Sequence, residues 1–211
     1  MKLYVYDHCP FCVRARMPLG LKNIDAEVVY LDNHDEETPI GMIGAKMLPI
    51  LNDRDGHMGE SLDIVHKLDV IDGQPIFDGS PTEALLTWLK THDATVNTLV
   101  IPRAPNAIYP EFVDPEAIAY FTAKKEATFG PFAELIAQTD VARAKMEAAL
   151  DELIALLPNA ERPSIDDIYL FPVLRGLTIV PDLTFPQPVM EYMTMMADRC
   201  KTPLVQLQRV I

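Results

Sequence analysis

The four residues Cys9-Pro10-Phe11-Cys12 follow directly on a short apolar run and lead into a stretch with helical spacing, and this placement restricts both fold and chemistry. Met1 to Tyr6 reads as a β-strand, and Val13 to Leu21 carries apolar residues at helical spacing. A strand-to-helix turn puts the Cys9 sulfur at a helix N-terminus, where unpaired N–H groups and the helix dipole stabilise an anion. The thiolate is the nucleophilic form of cysteine, so this position makes Cys9 reactive at neutral pH. Pro10 suits the first helical turn, where its missing N–H costs nothing. Cys12, three residues on, lies on the same helix face and can reach back to resolve a mixed disulfide.

A zinc site is the competing use of such a pair. Structural zinc needs four ligands and catalytic zinc three. Only Cys200 and five histidines without ligand spacing remain in the chain, so no metal is expected. Three cysteines in 211 residues do not make a disulfide scaffold. No stretch approaches the roughly 18 consecutive apolar residues of a membrane helix. Lys2 is followed by only a short apolar run before Asp7, which is no secretory signal. The expected location is therefore cytoplasmic. A net charge of −13 argues against nucleic acid or an anionic membrane as partner.

Strand and helix signals alternate over residues 1–72, and the rest reads as helical. Ala26 to Leu31 forms a second strand, Glu36 to Ile43 a short irregular helix, and Leu48 to Leu51 a third strand. Asn52 to Gly56 is a hairpin turn, His57 opens the return strand, and a helix begins at Ser61. The order βαβ then ββα predicts a mixed four-stranded sheet covered by helices. Residues 73–80, with glycines, prolines and no periodicity, read as a linker. Residues 81–211 read as an all-helical domain, with helices expected at 81–100, 114–129, 131–157, 164–179 and 186–200. Asp114-Pro115 is a helix start, and Ser164 to Asp167 resembles a capping box.

These features together carry a resemblance. Cys9-Pro10-Phe11-Cys12, Leu48-Pro49-Ile50 and Glu60-Ser61 look like a glutaredoxin domain of glutathione transferase type. The segments Lys2 to Pro10, Arg14 to Met17, Gly20 to Ile24, Glu60 to His66, Lys124 to Ala127 and Asp166 to Ile168 resemble the two-domain bacterial glutaredoxin 2 family. The likeness runs through most of the chain. It implies a thioredoxin-like α/β N-terminal domain packed beside an all-α C-terminal domain, in a glutathione transferase-like architecture. Phe11 stands where that family usually has tyrosine, keeping the aromatic wall and losing a hydroxyl.

The resemblance further implies glutathione as the reducing co-substrate, with no bound cofactor. Cys9 and Phe11 would border the bound tripeptide. Leu48 would offer its backbone N–H and C=O to the cysteinyl part, as a strand edge does to an extended peptide. The Leu48–Pro49 bond is implied to be cis. Ser61, as a helix N-cap, would receive the γ-glutamyl carboxylate, and Glu60 would pair with the ammonium of the same head group. Each position also has a plainer use: Pro49 as an edge-strand proline, Ser61 as a cap alone.

Other residues read as structural. His8 either tunes the Cys9 thiolate or points away across the turn. Arg16, two turns from Cys9, reads as exposed and screened. Trp88 packs between helices or lines a domain cleft. Lys124 and Lys125 read as a solvated helix face, and Cys200 as core with Met193, Met195 and Met196 nearby.

The expected activity is glutathione-dependent thiol–disulfide exchange on disulfide-containing or glutathionylated proteins, by a monomer, with Cys9 as nucleophile and Cys12 as resolving thiol. Two alternatives stand beside it. A glutathione transferase would conjugate glutathione to an electrophile and need no Cys12. A non-enzymatic interaction protein would need no reactive Cys9.

Overall fold

The computed structural model describes residues 1–159 and 161–205; residue 160 and residues 206–211, the end of the expected helical region, lie outside the described residues. The chain begins with β1 (Lys2–Val5), α1 (Pro10–Leu21), β2 (Glu27–Tyr30), α2 (Glu37–Ile43), β3 (Ile50–Asp53), β4 (Gly56–Met58) and α3 (Ser61–Asp69). The strands lie in the order β2-β1-β3-β4, with β1 parallel to β2 and antiparallel to β3, and β3 antiparallel to β4. The crossover through α1 produces the parallel pair, and a two-residue turn at Arg54-Asp55 produces the hairpin. This is the mixed four-stranded sheet expected. The hairpin is tighter than the sequence reading, because Asn52 and Asp53 pair with His57 and Gly56 instead of turning.

From α4 (Glu83–Val100) onward the described structure is helical: α5 (Pro115–Phe129), α6 (Phe132–Ala137), α7 (Thr139–Leu153), α8 (Ile165–Leu177) and α9 (Gln187–Arg199), with 3₁₀ turns at Ala104–Asn106, Pro110–Phe112 and Ile154–Leu156. Asp114 caps α5 by accepting from the Glu116 N–H, and Ser164 with Asp167 forms the capping box of α8. The single helix expected over 131–157 is two. The Gln138 N–H bonds back to the Leu135 carbonyl and the Thr139 hydroxyl donates to the Ile136 carbonyl, closing α6 before α7 starts. No proline or glycine marks that break, so apolar spacing runs straight through it.

α1 is buried on both faces. Cys12 and Ala15 belong to the core over the sheet with Leu3, Val5, Leu48, Ile50, Leu51, Ile64 and Leu68. Val13 and Met17 belong to the larger core built from α4, α7, α8 and α9. The segment read as a linker is tied into the same packing. The Asp69 carboxylate accepts from the backbone N–H groups of Ile76 and Phe77, Lys22 donates to Asp69 and to the Gln74 carbonyl, and Phe77 is fully buried. Cys200 lies in the large core as expected.

Gly20 sets how closely α1 meets the end of α9. A Cβ placed there would lie 2.2 Å from the backbone carbon and oxygen of Cys200, and backbone cannot move aside as a side-chain tip can. Gly20→Ala is therefore expected to destabilise the chain by about 1–3 kcal/mol, the usual range for overpacking, measured by urea denaturation; unchanged stability would contradict this close approach.

Candidate active site

The register of the sheet gathers the residues singled out in the sequence at one end. Tyr4 pairs with Ile50, and Leu51 pairs with Met58. Continuing those ladders by two or three residues brings the turn after β1, the Leu48-Pro49 segment and the Glu60-Ser61 turn side by side. Cys9 and Leu48 pack against the same cluster. The Leu48–Pro49 peptide bond is cis. Among the described residues no hydrogen bond engages the backbone N–H or carbonyl of Leu48, which leaves both available to a ligand.

Cys9 is the N-cap of α1, with Pro10 at the first helical position, and its carbonyl accepts the Val13 N–H at 3.0 Å. Cys9 is partly exposed as a residue, whereas Cys12 is fully buried. The Cys12 thiol hydrogen-bonds the Cys9 sulfur and is the largest influence lowering the Cys9 pKa, to about 6; burial opposes it, and the charge of His8 and the N–H groups of Cys12 and Phe11 assist. Cys12 moves the other way. Burial pushes its thiol well above the ordinary range, and the charge of Cys9 adds to this, while the Tyr6 N–H, 3.3 Å from its sulfur, works against it. One sulfur is thus prepared to attack and the other holds its proton.

Glu60 and Ser61 differ in one respect from the sequence reading. The Glu60 carbonyl accepts the Ile64 N–H, so Glu60 is the N-cap of α3 and Ser61 is its first helical residue. Ser61 is buried and Glu60 exposed, with Glu60 at φ 62°, a region that non-glycine residues seldom occupy. The open N–H groups of the first α3 turn still face an incoming anion as before.

Cys9 also opens onto a cleft of about 710 Å³ between the sheet region and the helices. Its walls include Phe11, Leu86, Trp88, Leu89, Phe129, Tyr169 and Val173, with Arg14, Lys90 and Lys125 as cations and Asp93 as an anion. Phe11 is 54% exposed, and the Arg14 guanidinium lies 5.2 Å from its ring and 4.4 Å from that of Tyr169. Trp88 both packs and lines the cleft, its indole N–H donating to the Ala149 carbonyl. Lys125 departs from the solvated face expected of it and borders the cleft, over the rings of Phe121 and Phe129. Lys124 instead pairs with Glu36 across the two regions.

Three residues beside the cysteines carried no signal in the sequence. Asp7 is gripped by Arg175 of α8, which donates to its carboxylate at 2.9 and 3.0 Å and to its carbonyl at 2.7 Å, and by Arg16. Burial alone would raise the Asp7 pKa, but the two guanidiniums outweigh it and hold the carboxyl below its usual range. Arg16 is accordingly not the exposed charge expected; it is buried between Asp7 and the Tyr30 ring. The third residue, Glu111, bonds His8. Pairs such as Asp7 with Arg175 or His8 with Glu111 lie more than a hundred positions apart, beyond the reach of local pattern.

The zinc alternative lacks ligands. Among the described residues, the group of histidine, cysteine or acidic side chains close enough to share an ion is His34, Asp114 and Glu116, which includes neither cysteine.

Comparison with known proteins agrees with this geometry. Residues 84–208 match the family model for the C-terminal domain of glutaredoxin 2, and residues 3–75 match that for the N-terminal domain of glutathione S-transferase. The chain is similar to glutaredoxin 2 of Escherichia coli (strain K12), 44% identical over 211 residues that span 97% of this chain and 98% of that protein. It is similar to the crystal structure of glutaredoxin 2 from Salmonella typhimurium in complex with glutathione, with TM-score 0.92, 43% identity, and 96% and 95% of the two chains covered. A glutathione transferase from Phanerochaete chrysosporium, GSTFuA3, shares the fold at TM-score 0.69 and 15% identity, over 98% of each chain.

The opposed shifts of the two thiols predict the pattern of alkylation. Cys9, lowered to about 6, is mostly thiolate at pH 7, and Cys12 is not. Iodoacetamide labelling followed by peptide mapping is expected to modify Cys9 with a midpoint near pH 6 and to leave Cys12 unmodified through pH 8. A Cys9 midpoint at the free-thiol value of about 8.5, or labelling of Cys12 first, would contradict it.

Proposed function

The chain belongs to the glutaredoxin 2 family of glutathione-dependent thiol–disulfide oxidoreductases, and from that premise we propose that Cys9 is the nucleophile of the exchange and Cys12 its resolving thiol. The observation that carries this reading is the asymmetry of the pair: a partly exposed residue whose thiol has a lowered pKa at a helix N-terminus, beside a buried thiol that hydrogen-bonds to it.

On a glutathionylated protein, the Cys9 thiolate attacks the glutathionyl sulfur. A Cys9–glutathione disulfide forms, the protein–sulfur bond breaks, and the protein thiolate leaves and takes up a proton. A second glutathione thiolate attacks the glutathionyl sulfur of that adduct, releasing oxidised glutathione and restoring the Cys9 thiolate. On a protein disulfide, the Cys9 thiolate attacks one substrate sulfur and forms a mixed disulfide with it, while the substrate S–S bond breaks and the other sulfur leaves as a thiolate that takes up a proton. Cys12 then loses its proton, attacks the Cys9 sulfur and expels the second substrate thiolate. Two glutathione molecules reopen the resulting Cys9–Cys12 bond and leave as the oxidised dimer. The adduct itself readies Cys12: once Cys9 is bonded it carries no negative charge, so one of the influences raising the Cys12 pKa disappears.

Glutathione is assigned to the end of the sheet where Leu48, Pro49, Glu60 and Ser61 meet Cys9 and Phe11. The tripeptide chain would pair with the free backbone groups of Leu48, and its γ-glutamyl carboxylate would lie on the first turn of α3. Glu60, exposed at that turn, would meet the ammonium. Protein substrates would lay the apolar surroundings of their disulfide into the cleft beside Cys9. In this reading residues 1–72 form the redox domain, 73–80 the linker and 81–211 the helical domain of a cytoplasmic monomer. No helix among the described residues is long and apolar enough to cross a membrane.

Conjugation of glutathione to an apolar electrophile is a second use that the cleft would permit, and it gives Cys12 no part. The single variants separate the two. Cys9→Ser is expected to bring both deglutathionylation and protein-disulfide reduction to background, since serine is scarcely ionised at neutral pH. Cys12→Ser is expected to keep most of its deglutathionylation, to lose about tenfold or more in protein-disulfide reduction, and to accumulate a Cys9–glutathione adduct visible by mass spectrometry. Full activity in Cys9→Ser would remove the proposed nucleophile, and unchanged protein-disulfide reduction in Cys12→Ser would remove the resolving role.

A further inference from the structure

Glu111 comes from the 3₁₀ turn Pro110–Phe112 and has no exposed surface. Its Oε1 accepts two hydrogen bonds from one residue of the redox region: the His8 backbone N–H at 2.8 Å and the ring Nδ1 at 2.6 Å. Its Oε2 is buried without a partner among the described residues. A buried carboxylate oxygen without a donor costs stability, and such groups call for a reason other than packing. The imidazole it holds is fixed on its other sides as well. Tyr6 stacks on the ring, and Tyr109, Phe112 and Phe121 surround it at centroid distances of 5.0 to 6.0 Å. What remains of its surface borders the cleft together with Cys9.

We propose that Glu111 is a positioning residue for the exchange reaction, acting on Cys9 only through His8. By gripping both the main chain and the ring of His8, it fixes the residue before the nucleophile and orients the imidazole, with the positive charge that ring carries when protonated, beside the sulfur. A carboxylate behind an imidazole sets its tautomer and orientation in the same way wherever the pair occurs. The helical region thus contributes to the reactivity of a cysteine in the sheet region. This rests on Cys9 being the nucleophile.

Other charged and titratable groups face the same ring. Tyr6, just after β1, and Tyr109 are pushed above the usual tyrosine range, chiefly by burial, and stay neutral. The Asp7 charge is held by Arg16 and Arg175. Lys125 of α5 lies across the Phe121 ring from it, and the two cysteines lie on the α1 side. Glu111 is the carboxylate hydrogen-bonded to the imidazole itself.

The sign of the effect tests the proposal. Acting directly, a carboxylate disfavours nearby thiolates, as Glu111 does at Cys12, so removing its charge would lower the pH at which Cys9 ionises. Acting through His8, its removal raises that pH. Cys9 alkylation by iodoacetamide is measured against pH in the full chain carrying Glu111→Gln, His8→Gln or both. The Cys9 midpoint is expected to rise by about one pH unit in each single variant, and the double variant to match His8→Gln alone. A midpoint that falls or stays put in folded Glu111→Gln overturns the proposal, even if thermal stability drops. So does a Glu111→Gln effect of equal size with and without His8. Should Glu111→Gln fail to fold, Glu111→Asp, which keeps the charge but shortens the reach, replaces it with the same expected rise and the same overturning result. The measurement uses neither glutathione nor a disulfide substrate, so its failure is distinct from failure of the exchange reading, which the Cys9→Ser assay decides.

Discussion

Everything at the reactive end of this molecule depends on α1 being packed on both faces. A helix against a sheet usually keeps a polar side for water, but here Cys12 and Ala15 face the sheet while Val13 and Met17 face the helical core. Close-packed interiors do not allow a helix to slide without opening voids on one side or clashes on the other. Gly20, against the Cys200 backbone, removes any slack at the far end of the helix. The Cys9 sulfur at the near end is therefore held in register with walls that α4 and α8 contribute to the cleft. The two regions are distinct in architecture, yet they share the element that carries Cys9 and Cys12.

The polar contacts across the same boundary follow from that burial. Arg175 and Arg16 are nearly inaccessible, and a guanidinium out of water needs carboxylate and carbonyl partners. Asp7 supplies both, and the Pro203 carbonyl accepts from the Arg175 Nε–H at 2.8 Å. This cluster lies two residues before Cys9, so the turn leading to Cys9 is anchored by charge at Asp7 and by the Glu111 bonds at His8. Truncating Asp7 would leave two buried guanidiniums without their carboxylate, which is far costlier than the loss of a single surface ion pair. Lys124 with Glu36, exposed on the outside, joins the same two regions with little energetic weight.

The sequence was most legible where chemistry and local backbone rules coincide. The Cys9-to-Cys12 turn, the capped starts at Asp114 and Ser164, and the mixed order of strands each rest on neighbours within a few residues, and the fold contains them all. Legibility failed where the deciding partner is remote. Arg16 looked like an exposed charge because nothing nearby in sequence announces Asp7 and Tyr30 as its surroundings. The region from Pro102 to Pro110 has too many prolines for any periodicity, and it delivers Glu111 to His8. The break between α6 and α7 was hidden because side-chain and i to i+3 backbone bonds close a helix there without a breaker residue. Ser61 missed the cap position by one residue, an error that only the Ile64 bond to the Glu60 carbonyl resolves.

Several local departures from what stability alone would favour involve residues of the candidate site, alongside the positive φ of Asn23, Asp182 and Lys201 and the unpartnered Nδ1 of His34. Glu60 holds a positive φ, at a cost of about 1–3 kcal/mol for a non-glycine residue, and so turns the chain to open the first α3 turn beside Leu48. Leu48 leaves both backbone groups unbonded where one more rung of the ladder could have used them. Cys12 buries a thiol whose clearest partners are the Tyr6 N–H and the other cysteine. Glu111 leaves a carboxylate oxygen unbonded in the interior. Other buried polar groups are well satisfied: Asp69 accepts from the linker N–H groups, and Asp167 takes both the Ser164 N–H and the Tyr192 hydroxyl. The open backbone groups of Leu48 and of the first α3 turn suit a partner that binds and leaves. Thiol exchange is a reaction of that kind, because each turn must admit a disulfide, hold it covalently for one step, and release it.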